Sequence, residues 1–137
     1  MPVLIDTSFL VAIASPKDAS HVSARQATQG LVGIRIVPAP VLPETFYMVT
    51  QRVNYSAATR TFRLLRTGAF QIEPLTDEDM ARMEEIMAQY TDNEFDYVDL
   101  AVMALAERLN ITEIYTFDRR DFSVFIPAHC DYLELLL

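Results

Sequence analysis

The stretch VLIDTSFL, residues 3–10, decides the fold. Val3, Leu4 and Ile5 form a short apolar run that stops at Asp6, and a helical pattern over 8–14 follows without a break. A buried strand that ends in an acid and turns directly into a helix is how an open parallel sheet begins. The same grammar returns near the other end in IYTFDRRDF, residues 114–122, where Ile114, Tyr115, Thr116 and Phe117 read as a strand with Asp118 at its carboxyl end.

Between these two stretches the pattern alternates. Short apolar strands are expected at 3–5, 34–37, 70–73, 114–117 and 132–136. Helical patterns occupy 8–14, 18–30, 40–53, 56–68, 76–90 and 96–110. Gly30 and Gly68 stand at helix ends, Pro43 suits a first turn, and Thr76 is followed by early acids. In the last of these helices, Val98, Ala101, Val102, Leu105 and Leu109 recur at helical spacing. Strands alternating with longer helices predict an α/β/α sandwich around a mostly parallel, Rossmann-like sheet. The 137 residues amount to about one ordinary domain, and one domain over 1–137 is expected.

Composition narrows the function classes. No run of eighteen apolar residues is present, so no membrane span is expected. The first residues lack a basic leader and read as the first strand rather than a signal peptide. The lone Cys130 allows no internal disulfide, which fits a reducing cytosol and a cytoplasmic location. A net charge of −8 argues against a generic nucleic-acid binder with a basic face. It is compatible with a site that gathers carboxylates around a cation.

Each acid has an ordinary explanation when taken alone. Asp6 reads as an N-cap, Glu44 as a first-turn acid favoured by the helix dipole, and Asp118 as the start of a turn. Asp96 and Asp99 resemble an N-cap with an acid at the third helical position. Taken together they say more. In a parallel sheet, Asp6 and Asp118 end strands on one edge, while Glu44 and Asp99 lie in first turns that open on the same edge. That edge is where ligands bind in open α/β sheets. Two carboxylates about 4 Å apart repel by roughly 1 kcal/mol in water and about 4 kcal/mol at an effective dielectric near 20. Several such pairs are a heavy load on a domain whose whole stability is on the order of 10 kcal/mol. The acids therefore stay apart, or some stay protonated, or a divalent cation neutralises them. An all-oxygen donor set favours Mg²⁺ or Mn²⁺. His21 and His129 stand alone, and nothing suggests zinc.

Four segments in order, LIDTSFLVAI, PAPVLPETFYMV, FDYVDLAVMALAERLNI and IYTFDRRDF, resemble the PIN-domain ribonucleases, and among them the VapC-type toxins of toxin–antitoxin pairs. The resemblance spans nearly the whole chain. It implies a metal-dependent endoribonuclease with Mg²⁺ or Mn²⁺, a homodimer, and a cognate antitoxin whose C-terminal segment covers the site. By position it makes Asp6, Glu44, Asp99 and Asp118 the catalytic and metal-binding acids, with Asp6 and Asp99 foremost as direct ligands. Thr7, Ser8 and Thr116 are expected to orient ligands or water. Asp96 is favoured as a helix cap in a supporting role. Asp121 reads as a surface or turn acid, and Phe122 as packed against the body.

RNA must be held despite the negative charge. Arg119 and Arg120 beside Asp118 are candidates for phosphate contacts. For Arg60, Arg63 and Arg66, with Arg52 just before them, a solvated helix face and an RNA contact are both open readings. Phe9, Leu10, Val11 and Ile13, with Phe46, Tyr47, Met48 and Val49, exceed what one helix face must bury. A leftover stripe would serve an antitoxin helix or a dimer contact. Two other functions compete: a non-catalytic PIN-like binding module, and a Mg²⁺-dependent phosphatase. The phosphatase commonly needs a second acid two residues after the strand-end aspartate, where this chain has Ser8.

Overall fold

The computed structural model describes residues 1–30, 33–68 and 70–137. Its centre is β1 (Val3–Ile5), fully buried. On one side lie β2 (Arg35–Pro38) and β3 (Gln71–Glu73), and on the other β4 (Glu113–Tyr115) and β5 (Glu134–Leu136). The order is β3-β2-β1-β4-β5 and every pairing is parallel. The chain first builds outward from β1 to β3, then crosses back to place β4 on the other flank. The reversal of strand order falls between β1 and β4, and that junction is where an open α/β sheet binds its ligand.

Parallel neighbours need crossover helices, and right-handed crossovers put successive ones on one face until the winding direction reverses. Helices α1 (Thr7–Ala14), α2 (His21–Gly30), α3 (Val41–Arg52) and α4 (Tyr55–Arg66) precede the reversal and pack on one another. Helices α5 (Asp77–Gln89), α6 (Tyr97–Arg108) and the short α7 (Arg120–Val124) follow it. This is the expected three-layer sandwich.

Helix ends match their residue types. Thr76 forms a reciprocal capping box with Asp79, and Asn54 accepts from the Ala57 amide at 2.8 Å. Beyond α4, Gly68 adopts φ +95°, a left-handed conformation that strains other residues. Helix α6 is buried on all sides from Val98 to Ala106, and its apolar residues meet Leu4, Ile5 and Ile114 of the sheet in one core. So deep a helix is a rigid mount for the acid in its first turn. Phe122 is buried, as its place in the sequence suggests. His21 bonds the Ala12 carbonyl and His129 the Ile111 carbonyl, which fits structural roles for both.

Among the boundaries that shift, one bears on the site. The strand read over 114–117 ends at Tyr115. The next amides find side chains in place of a ladder: Phe117 N–H donates to Ser8 Oγ at 2.8 Å, and Asp118 N–H to Thr116 Oγ1 at 3.0 Å. The chain peels off the sheet there.

Candidate active site

Asp6 occupies the N-cap position of α1, yet its carboxylate makes no cap hydrogen bond. It turns across to β4. The register that pairs Ile5 with Tyr115 brings Asp6 opposite Thr116, and the Asp6 N–H donates to the Tyr115 carbonyl at 3.1 Å. Thr116 Oγ1 then donates to Asp6 Oδ2 at 2.8 Å. Since Thr116 gives its only proton to Asp6, Ser8 Oγ, 3.1 Å away, is the donor in the Ser8–Thr116 contact. Strand end, helix start and loop are thus tied together by two hydroxyls. Thr7 meets Asp6 through its backbone N–H, which helps hold the Asp6 carboxyl down, and its hydroxyl is buried without a protein partner. Ser8 stands where a phosphatase of the competing class would place its second acid, and its hydroxyl is already bonded to Phe117 and Thr116.

Asp6 is 3 % exposed. Burial raises its carboxyl pKa to about 6; the Thr116 bond opposes that shift, and the charges of Glu44 and Asp118 add to it. Asp99 is buried in the first turn of α6, where its N–H donates to Asp96 Oδ1 at 2.8 Å. Asp96 is therefore the cap. Burial first, then the charges of Asp96 and Asp6, push the Asp99 carboxyl up to about 9. Burial and the charges of Asp121 and Asp96 also raise Asp118.

The tightest cluster consists of Asp99, Asp118 and Asp121, each offering a carboxylate oxygen, all within 4.8 Å of one another. Asp6 and Glu44 lie outside this trio but act on the same rim: Asp6 raises Asp99, and Glu44 raises Asp6. Glu44 is half-buried in the first turn of α3, beside Tyr97 and Val98 of α6. The rim thus brings together Asp6, Asp99 and Asp118, sets Glu44 at its margin, and adds Asp121. The expectation that Asp121 is a surface or turn acid does not hold. It is half-buried in α7, whose first turn folds it back toward Asp118. No local signal placed it there: α7 starts at Arg120, after Asp118, and is too short for its spacing to register. Beneath the rim, Phe9 packs against Tyr115 at 5.1 Å and Phe117 at 6.5 Å.

The donors suit a hard divalent cation. They are carboxylate oxygens only, converging from the end of β1, α6 and the segment after β4, and Asp6, Asp99 and Asp118 are each raised by burial first and by neighbouring carboxylates second. Of the expected phosphate-binding cations, Arg119 Nη2 donates to the Leu135 carbonyl at 3.1 Å. Arg120 is exposed, 3.7 Å from Asp121.

An α/β/α domain with its order reversal beside β1 and a rim of carboxylates at that junction defines a class of acid-lined, Rossmann-like domains. The chain belongs to the PIN domain family, which it matches over residues 3–125. It is similar to Ribonuclease VapC26 of Mycobacterium tuberculosis, at 28% identity covering 91% of this chain and 93% of that protein. It is also similar to the 23S rRNA-specific endonuclease VapC20 of the same species, at 25% identity covering 88% and 92%. The crystal structure of VapC20, described as a Sarcin-Ricin loop cleaving toxin, superposes with a TM-score of 0.83 at 22% sequence identity, covering 90% of this chain and 96% of that one. A toxin–antitoxin complex from Klebsiella pneumoniae matches at TM-score 0.69 and 20% identity, covering 90% and 92%.

Proposed function

We propose that this chain is a divalent-metal-dependent endoribonuclease, the toxin of a toxin–antitoxin pair, acting on RNA in the cytoplasm. The observation that carries the reading is the convergence of Asp99, Asp118 and Asp121 within 4.8 Å beside buried Asp6. The similarity to two named RNA-cleaving proteins supports it. A cation directed at a phosphodiester makes such crowding useful at a strand-end rim.

Asp6, Asp99, Asp118 and Asp121 would hold Mg²⁺ or Mn²⁺. When bound, such a cation makes hydroxide available near neutral pH and offsets charge on phosphoryl oxygens. The chain's own groups do the rest. Thr116 and Ser8 fix the rotamer of Asp6. Asp96 fixes the first turn of α6 and with it Asp99. Glu44, set apart from the trio, accepts the proton of the attacking water. Arg120 swings from Asp121 to a substrate phosphate.

The partners of the class follow the same logic. A cognate antitoxin presents its C-terminal segment to the rim, and a second copy of this chain makes the active assembly a homodimer.

The deciding experiment is incubation of total RNA with purified protein, with and without chelator, beside the Asp99→Asn variant. Cleavage that needs metal and vanishes in the variant is expected. Persistence with chelator, full activity of the variant, or hydrolysis of a chromogenic phosphate ester in place of RNA would overturn the reading.

A further inference from the structure

The acid rim repels the RNA it is proposed to cut, so affinity must come from elsewhere on a chain of net charge −8. Helix α4 stands out. Its twelve residues, YSAATRTFRLLR, contain three arginines and no acid. In α5 and α6 the arginines are matched by acids: Arg82 pairs with Glu107, and Arg108 with Asp79 and Glu73. Arg60 bonds Ser56, whereas Arg63 and Arg66 have no carboxylate partner among the described residues. The dipole at the end of α4 favours them there, but it does not account for their neighbours. Tyr55, Phe62, Arg63 and Arg66 fall on one stripe of the helix, and Tyr55 and Phe62 are 64% and 52% exposed.

These side chains line a continuous groove. Its outer part, about 410 Å³, lies between Arg63, Arg66, Phe62, Tyr55 and Phe46. The inner part, about 430 Å³, shares the three aromatics and continues to Pro43 of α3. Pro43 also borders the hollow that holds Glu44 and Tyr97 at the acid rim. The floor is apolar and aromatic, the outer lip carries two uncompensated cations, and the inner end stops at Pro43, the chain neighbour of Glu44.

We propose that this α3–α4 groove is a binding track for single-stranded RNA, with bases stacked on Tyr55 and Phe62 and phosphates on Arg63 and Arg66, feeding the strand toward the rim. Flat aromatic faces flanked by cations are what a strand of unpaired bases recognises, without regard to sequence. The proposal rests on the ribonuclease reading, and its test is separable from it.

Binding is measured by anisotropy of a labelled single-stranded RNA in the Asp99→Asn background with chelator, so no cleavage enters. Arg63→Ala with Arg66→Ala is expected to weaken binding at least about tenfold and to flatten the log Kd against log salt slope by roughly 1.4, about 0.7 for each single-strand phosphate that is no longer neutralised. Phe62→Ala is expected to weaken binding about tenfold with the slope unchanged. Arg63→Lys with Arg66→Lys restores most of the affinity, because a phosphate accepts either point charge. In the active protein with metal, the alanine pair lowers kcat/KM on a long strand, while cleavage of a fragment too short to reach beyond the rim stays unaffected. Unchanged RNA affinity in the alanine pair overturns the proposal, as does equal loss on long and short substrates. So does an alanine pair that loses an acidic protein partner while keeping RNA. Failure of the parent to cleave any RNA, with binding still dependent on Arg63 and Arg66, strikes the ribonuclease reading alone.

Discussion

Thr116 is where the site's order is concentrated. Its hydroxyl donates to Asp6 and accepts the Asp118 N–H, so one oxygen links a buried carboxylate to the loop that carries the next acid. Thr116→Val removes both bonds and the one accepted from Ser8, at nearly constant shape, and leaves the Asp6 carboxylate short of a donor. A loss of about 1–3 kcal/mol is expected in urea unfolding near neutral pH. The Asp6 carboxyl should titrate above its present value of about 6, since the bond that holds it down is gone. Thr116→Ser keeps the hydroxyl and should recover most RNA cleavage; equal loss in both variants would mean that the methyl, not the hydroxyl, matters. Asp99 invites the opposite expectation for stability. Asp99→Asn removes a buried acid whose neighbours Asp96, Asp6 and Asp118 all oppose its charge. The variant should lose cleavage yet melt higher than the parent at alkaline pH, a few degrees for each kcal/mol relieved. A variant that is both inactive and less stable would make Asp99 a structural residue.

At the scale of elements, the helix starts were legible because capping is local chemistry. Thr76 followed by Asp79 reads as a cap in one dimension and is one in three. Asp96 likewise caps α6, and this has a measurable consequence. Asp96→Ala should cost about 1 kcal/mol in thermal or urea unfolding, while Asp96→Asn, which keeps the accepting oxygen, should cost a few tenths. If the asparagine variant is as damaging as alanine, the cap is not what Asp96 supplies. The end of β4 and the existence of α7 were not legible. Thr116 and Phe117 have strand-like side chains, and only the Ser8 hydroxyl, some hundred residues away, draws the Phe117 amide off the ladder. Helix α7 is a turn and a half, too short for periodicity to register, and it is what moves Asp121 from surface acid to cluster member. The acids on β1, α3 and α6 could be found from sequence because strand ends and first turns share an edge. Asp121 could not, because its place depends on a long-range contact. The charge imbalance of α4 was visible as three arginines, but not its aromatic groove, which needs the α3–α4 packing.

The whole molecule's stability should report the charge state of the rim. In the unfolded chain Asp6 and Asp99 ionise near the ordinary value of 3.8, while in the folded, metal-free protein burial raises them to about 6 and about 9. Between these limits the folded state binds more protons than the unfolded state, so stability falls as pH rises. Asp6 contributes to the slope from roughly pH 4 to 6, and Asp99 across the wider window up to about 9. Below pH 4 other acids reverse the trend, because Asp79 and Glu107 are paired with Arg108 and Arg82 and held below their usual range. With chelator present, melting temperature should therefore peak in mild acid and decline through neutrality. A divalent cation binds the ionised carboxylates and should lift the melting temperature most at the alkaline end, by an amount that grows with the logarithm of its concentration. Asp99→Asn should flatten both the pH decline and the cation's effect. Melting curves across pH with chelator, Mg²⁺ and Mn²⁺ test the argument. A metal-free protein that grows more stable from pH 5 to 8, or a cation effect that survives in Asp99→Asn, would show that crowded carboxylates are not what the fold is holding in reserve.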